Sequence, residues 1–187
     1  MGFISSIDFA ILEFIQNTMK CALFDFSMMI FSYLGEAGAV WILIGLIFLS
    51  FRKTRATGVI MLAAMLFGYL VGELGIKNLI VRPRPFLLNT DVTLNIIAPS
   101  GYSFPSGHST SSFAAALVIF VREKRWMGIC AYTLAGLIAF SRLYNYVHYP
   151  SDVLCGIILG TLSAILMIFI FRKTGLDKML SSEIRLK

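Results

Sequence analysis

The chain has 187 residues, 58% of them hydrophobic and 14% charged, with a mean hydropathy of +0.82 and a net charge of +6. A soluble domain is about half apolar and about a quarter charged, so the charge deficit points to lipid as the solvent. The basic residues cluster at the ends of apolar runs, which is a membrane pattern and not a nucleic-acid-binding stripe.

The length fits a single membrane domain over 1–187. Cys21, Cys130 and Cys155 lie in or beside apolar segments without metal-type spacing and read as buried small hydrophobes. The N-terminus lacks the basic region and cleavage site of a secretory signal, and Met1-Gly2 with Ser6 matches a myristoylation pattern only formally.

Residues 1–34 are apolar but interrupted by Asp8, Glu13, Gln16, Asn17, Lys20 and Asp25. They predict two short helices near 5–19 and 23–34, each below the ~20 residues that cross a bilayer. Five spanning helices are expected after them, at 38–51, 57–76, 106–121, 126–142 and 149–171. The fold class is therefore an all-α, polytopic helical bundle, with six spans in total if the N-terminal helices add another. Gly58, Gly68, Gly72 and Gly75 in the second span suit close helix contact. Residues 77–105 hold four prolines with 99 and 105 counted and form the longest polar stretch, of a length that usually carries function. The tail from 174 is polar. FRKT occurs at 51–54 and again at 171–174, and both copies read as basic stops on spanning helices.

The clusters at 52–55, 122–125 and 172–187 hold 11 of the 16 Lys and Arg residues. Alternating spans put all three on one face, which the positive-inside rule makes cytoplasmic. Lys77, Arg82, Arg84, His108, Arg142, His148 and Asp152 then gather at the opposite, extracytoplasmic face, both histidines of the chain among them.

Three strings carry chemistry there: Lys77-x6-Arg84-Pro85, Pro105-Ser106-Gly107-His108, and Ser141-Arg142-x5-His148-x3-Asp152. Taken singly, each has a plain reading as snorkelling charges, a loop before a helix, or a capping pair. Together they suit phosphoryl transfer. Lys77, Arg84 and Arg142 offer positive charge to non-bridging oxygens. Ser106 and the backbone of Gly107 and His108 offer donors at a helix start. His148 and Asp152, four apart, share a helix face, so the carboxylate can orient an attacking imidazole. His108 is left to protonate the leaving oxygen. With no acidic or Cys/His cluster of metal-ligand type, the expectation is no cofactor and no metal.

These strings resemble the signature of the type 2 phosphatidic acid phosphatase family, K-x6-R-P, P-S-G-H and S-R-x5-H-x3-D, matched here at every motif position over a core at 57–172. The resemblance implies a six-helix bundle in many members and dephosphorylation of lipid phosphates through a histidine nucleophile. It implies His148 as nucleophile, Asp152 as its partner, His108 as acid, and Lys77, Arg84, Ser106, Gly107 and Arg142 as the phosphate pocket. Soluble haloperoxidases of the same family use that pocket for vanadate, and the spanning segments argue against that branch. Small bacterial members act on undecaprenyl diphosphate, phosphatidylglycerophosphate or phosphatidic acid. The expected partners are thus a lipid phosphate and membrane lipids. A membrane protein that binds or moves a phospholipid without hydrolysis would need the same cations, but not the His148–Asp152 pair.

Three weaker features remain. Arg82 reads as an interfacial charge, or as a contact to a second phosphate. Glu73 is placed to pair with Lys77 and hold it. Tyr144, Tyr146 and Tyr149 read as an aromatic belt at the outer interface, or as lining for a lipid tail.

Overall fold

The computed structural model describes residues 3–181; Gly2, with its myristoylation pattern, and the end of the polar tail lie outside the described residues. Among the described residues the fold is all helix, with no strand. Helix α1 is Phe3–Met19 and α2 is Ala22–Leu34. A short 3-10 turn, Glu36–Gly38, leads into α3, Ala39–Ser50. Helix α4 runs over Arg55–Leu79 and includes a π-helical stretch, Leu70–Ile76. Then come the single turn α5, Pro85–Leu88, and the long helices α6, Gly107–Arg122, α7, Arg125–Tyr144, and α8, Pro150–Lys173. The short α9, Leu176–Ser181, follows.

Helix α6 is the axis of the bundle and packs on α4, α7 and α8. Its residues Ala114, Ala115 and Ala116 are fully buried, and small side chains let the neighbours come close. The main core adds Trp41, Ile60, Met61, Ile138 and Ala164. The Trp41 indole donates to Ser112 Oγ at 2.8 Å, so its one polar atom is satisfied inside the core. Gly68 of α4 lies so near α6 that an added Cβ would stand 2.8 Å from Thr110 Cγ2.

The expected five crossings are not all reached by single helices. Three are long and apolar enough to span: α4, α7 and α8. A fourth crossing needs α2 joined to Glu36–Ser50 across a 49° bend. The reason is length. The 12 residues of α3 rise about 18 Å, and the 16 of α6 about 24 Å, against a hydrocarbon core of about 30 Å. The apolar run at 38–51 is therefore the second half of a bent element that begins in α2.

The cysteines also differ from expectation. Cys21 and Cys130 are exposed and Cys155 is half-buried. In a bundle dissolved in lipid, an apolar residue gains no more by facing inward than outward.

Candidate active site

The K-x6-R-P string begins at Lys77, just where the π-helical stretch of α4 ends. There the Lys77 amide reaches back five residues to the Gly72 carbonyl, and such widened turns often occur at functional sites. Glu73 and Lys77 both face one cavity, and Lys77 Nζ contacts the two Glu73 carboxylate oxygens at 2.6 and 2.7 Å. The expected pairing is present.

Arg84 caps the extended entry to α5 and is buried. Its guanidinium donates to three backbone carbonyls, Gly101 from Nε at 3.0 Å, Val147 from Nη1 at 3.0 Å and Ser100 from Nη2 at 3.1 Å. Burial pushes its pKa below the ordinary value, although Glu73, Asp152 and Glu36 favour its charge.

Ser106 is the N-cap of α6. Its Oγ accepts from the Ser109 amide at 3.4 Å and the Ser109 hydroxyl at 3.0 Å, a typical device for free amides at a helix start. Ser106 is fully buried behind the cavity wall, whereas Gly107 and His108 line the cavity. Gly107 lets the Glu73 carboxylate lie against the helix start, where an added Cβ would displace it. His108 Nε2 lies 3.2 Å from the Ser32 carbonyl and 3.6 Å from Glu36 Oε2.

Arg142 ends α7, and the chain then turns back sharply. Tyr146 takes a left-handed φ of 57°, rare for a bulky residue, and the Val147 and His148 amides both return to the Arg142 carbonyl at 3.1 and 3.3 Å. This turn brings Arg142 and His148 to the same cavity. Arg142 Nη1 donates to Ser32 Oγ, and its Nε has no partner among the described residues.

His148 and Asp152 meet differently from the expectation of one helix face. His148 precedes the helix, Tyr149 is the N-cap, Pro150 opens the first turn and Asp152 sits at its third position. Asp152 Oδ2 accepts from the Tyr149 amide at 2.9 Å and faces His148 Nδ1 at 3.5 Å. On its other side, His148 Nε2 lies 3.2 Å from Arg84 Nη1. A guanidinium only donates, so Nε2 must hold a lone pair and the ring proton belongs on Nδ1, toward Asp152. Burial holds the His148 pKa down at about 3, Arg84 and Arg142 adding to the effect and Asp152 opposing it. The ring is therefore neutral near pH 7.

The cavity measures about 820 Å³. Lys77, Arg84, Gly107, His108, Arg142 and His148 converge on it, while Ser106 and Asp152 stand behind its wall. Its apolar side includes Ile42, Leu62, Leu66 and Ile97.

Three features differ from the sequence reading. Arg82 is neither a loose interfacial charge nor free for a second phosphate: it is bound to Asp8 at 2.7 Å and to Asp152 at 2.6 Å. Tyr144, Tyr146 and Tyr149 are buried, so they form neither a belt nor a lipid groove. They fill the space between the N-terminal helices and the site. Ser32 and Glu36, which contact Arg142 and His108, and Asp8, which binds Arg82, were missed. The available signal was the cost of placing Asp8 and Glu36 within or between apolar runs.

Residues 57–175 match the family model described as the PAP2 superfamily. An undecaprenyl-diphosphatase of Sulfolobus acidocaldarius is 32% identical over 122 residues, which cover 65% of this chain and 59% of that protein. The match thus spans about three-fifths of that relative. The crystal structure of Aquifex aeolicus LpxE superposes with a TM-score of 0.77 at 28% identity, covering 87% of this chain and 95% of that one. A transmembrane PAP2-type phosphatidylglycerolphosphate phosphatase from Bacillus subtilis gives 0.75 at 27% identity, covering 92% and 88%. With all three motif strings in one helical membrane bundle and the family model matched over residues 57–175, most of the chain, this chain belongs to the PAP2 superfamily.

Proposed function

We propose that the protein hydrolyses a lipid diphosphate or phosphate monoester through a phosphohistidine on His148, without a metal ion, at the extracytoplasmic face. Undecaprenyl diphosphate is the favoured substrate, with phosphatidylglycerophosphate and phosphatidic acid next. The Sulfolobus and Bacillus relatives' names support that ranking, and the apolar side of the cavity suits a lipid chain. On this reading the whole chain is one membrane domain, with its motif-bearing core at 57–172 and the short N-terminal helices at 1–34.

The observation that carries the reading is the convergence at His148: Arg84 Nη1 stands 3.2 Å from Nε2, while Nδ1 faces Asp152. A phosphoryl group entering there meets a lone pair and a cation together. Nε2 attacks phosphorus, and the bond to the leaving oxygen breaks. His108 gives that oxygen a proton where the leaving group is an alcohol. Asp152 stabilises the cationic ring that forms. Arg84, Lys77, Arg142 and the Gly107 backbone bind the non-bridging oxygens, work that electrostatic preorganisation does well. Water then attacks phosphorus while His108, in its neutral form, takes the water proton; the phosphorus–nitrogen bond breaks, its electron pair returns to His148 Nε2, and inorganic phosphate leaves. Ser106 serves by capping the helix that presents Gly107 and His108.

The test is phosphate release by the purified protein and its His148→Ala variant from undecaprenyl diphosphate, phosphatidylglycerophosphate and phosphatidic acid, with and without excess chelator. His148-dependent release that persists in chelator is expected. No His148-dependent release from any of them would sink the reading, and loss in chelator restored by added metal would sink the metal-independent part.

A further inference from the structure

Asp152 has two carboxylate oxygens with different partners. Oδ2 takes the Tyr149 amide and faces His148. Oδ1 takes Arg82 Nη1 at 2.6 Å, and the same Nη1 reaches Ser151 Oγ at 2.7 Å. The other arm of Arg82, Nη2, binds Asp8 Oδ2 at 2.7 Å. Asp8 closes the ring of contacts: its Oδ1 accepts from the Ser151 amide at 2.9 Å and its Oδ2 from the Ser151 hydroxyl at 2.6 Å. The guanidinium carbon of Arg82 lies over the Tyr149 ring, 3.8 Å from its centroid. Asp8 is 2% exposed and Asp152 is fully buried.

Asp8 belongs to α1, outside the residues that match the family model, and neither Asp8 nor Arg82 lines the cavity.

We infer that Asp8 and Arg82 are positioning residues for the nucleophile, a charge clamp that fixes the Asp152 carboxylate so that Oδ2 stays on His148. The inference rests on the reading of His148 as the attacking residue. Arg82 occupies Oδ1 and so stops the carboxylate from rotating away. The charges also add up in a useful way. Asp8, Arg82 and Asp152 together carry one net negative charge, which the imidazolium formed on attack neutralises. Without Asp8, the Arg82–Asp152 pair is neutral and offers the forming cation much less. Without Arg82, Asp8 and Asp152 lose the cation that they share, and Asp152 loses the partner that holds Oδ1. The N-terminal helix is therefore part of the catalytic apparatus and not only a membrane contact.

The test measures kcat and KM separately for Asp8→Asn, Arg82→Lys and Arg82→Gln, beside His148→Ala, with inorganic phosphate as a competing ligand. Removing the outer partner that orients a metal-bound histidine typically costs about 10- to 100-fold, and the same scale is expected for a partner that orients an attacking one. Asp8→Asn is expected to lose that much in kcat, with KM and phosphate inhibition within about twofold of wild type, because the phosphate pocket is intact. Arg82→Lys should lose less than Arg82→Gln. A residue that merely anchors α1 would lower the melting temperature without this split. An inactive His148→Ala with a fully active Asp8→Asn, or a loss lying wholly in KM, overturns the clamp alone. A fully active His148→Ala instead overturns the nucleophile reading beneath it. If Asp8→Asn does not fold, the two Arg82 variants decide, and equal losses in both count against the clamp.

Discussion

Arg84 spends its guanidinium on three backbone carbonyls and still places Nη1 against His148 Nε2. A lysine has the charge but not the planar fork, so it cannot hold the loop at Gly101 and Val147 while reaching His148. Arg84→Lys is expected to lower kcat by about 10²- to 10³-fold, the range for removing a preorganised transition-state donor; steady-state kinetics on a soluble lipid phosphate would measure it. His148 yields a second expectation. Its folded pKa of about 3 lies below the ordinary value of 6.5. The stability from keeping this ring neutral is therefore fully present above about pH 6.5 and is lost as the pH falls from there toward 3. Melting temperatures of the detergent-solubilised protein should fall more steeply between pH 6.5 and 4 than those of His148→Asn. Parallel curves would contradict it. At this scale most of the site was legible in the chain, because a cap such as Ser106 and the spacing from His148 to Asp152 depend on a few consecutive residues. Arg82 was misread because its partners, Asp8 and Asp152, lie 74 and 70 residues away.

Helices α6 and α8 both begin at the site and run from it side by side, so two helix N-termini, each a partial positive charge, point toward the same cavity end. The two starts are tied by a hydrogen bond from the Ser106 amide to the Asp152 carbonyl, 3.1 Å. Gly156 makes that approach possible: a Cβ there would stand 2.6 Å from the Ser106 carbonyl oxygen. Gly156→Val should force the helix starts apart, cost about 1–3 kcal/mol in stability, and lower activity by displacing Gly107 and His108. A thermal melt and an activity assay on the one variant would check both, and wild-type values in each would refute the argument. Element positions were readable from apolar runs and their basic stops. The π-helical stretch of α4 was not, because the single residue that widens the turn leaves the hydrophobic pattern unchanged.

For the whole molecule, the charged turns at 52–55 and 122–125 lie at the helix ends opposite the site, and the proposed orientation, from the positive-inside rule, has them in the cytoplasm. In a Cys21→Ser background, a membrane-impermeant thiol reagent applied to intact cells should label Asp91→Cys, in the exposed loop on the site's side, and spare Lys124→Cys. The reverse pattern would invert the proposed orientation. The segment before the matched family region supplies Asp8 of α1 to Arg82, Ser32 of α2 to Arg142, and Glu36 of the following 3-10 turn to His108. By itself, the sequence determined that lipid is the solvent and that the fold is helical, and it named eight candidate site residues, of which the structure brings six onto one cavity with Ser106 and Asp152 behind its wall. Each of these follows from composition or from short spacings that helix geometry converts into proximity. Only the tertiary structure decided which apolar runs are long enough to cross alone, that Tyr144, Tyr146 and Tyr149 are core, and that Asp8 reaches Asp152 through Arg82. Those outcomes depend on how helices far apart in the chain pack, and in lipid an apolar face carries no signal of whether it meets a neighbour or the membrane.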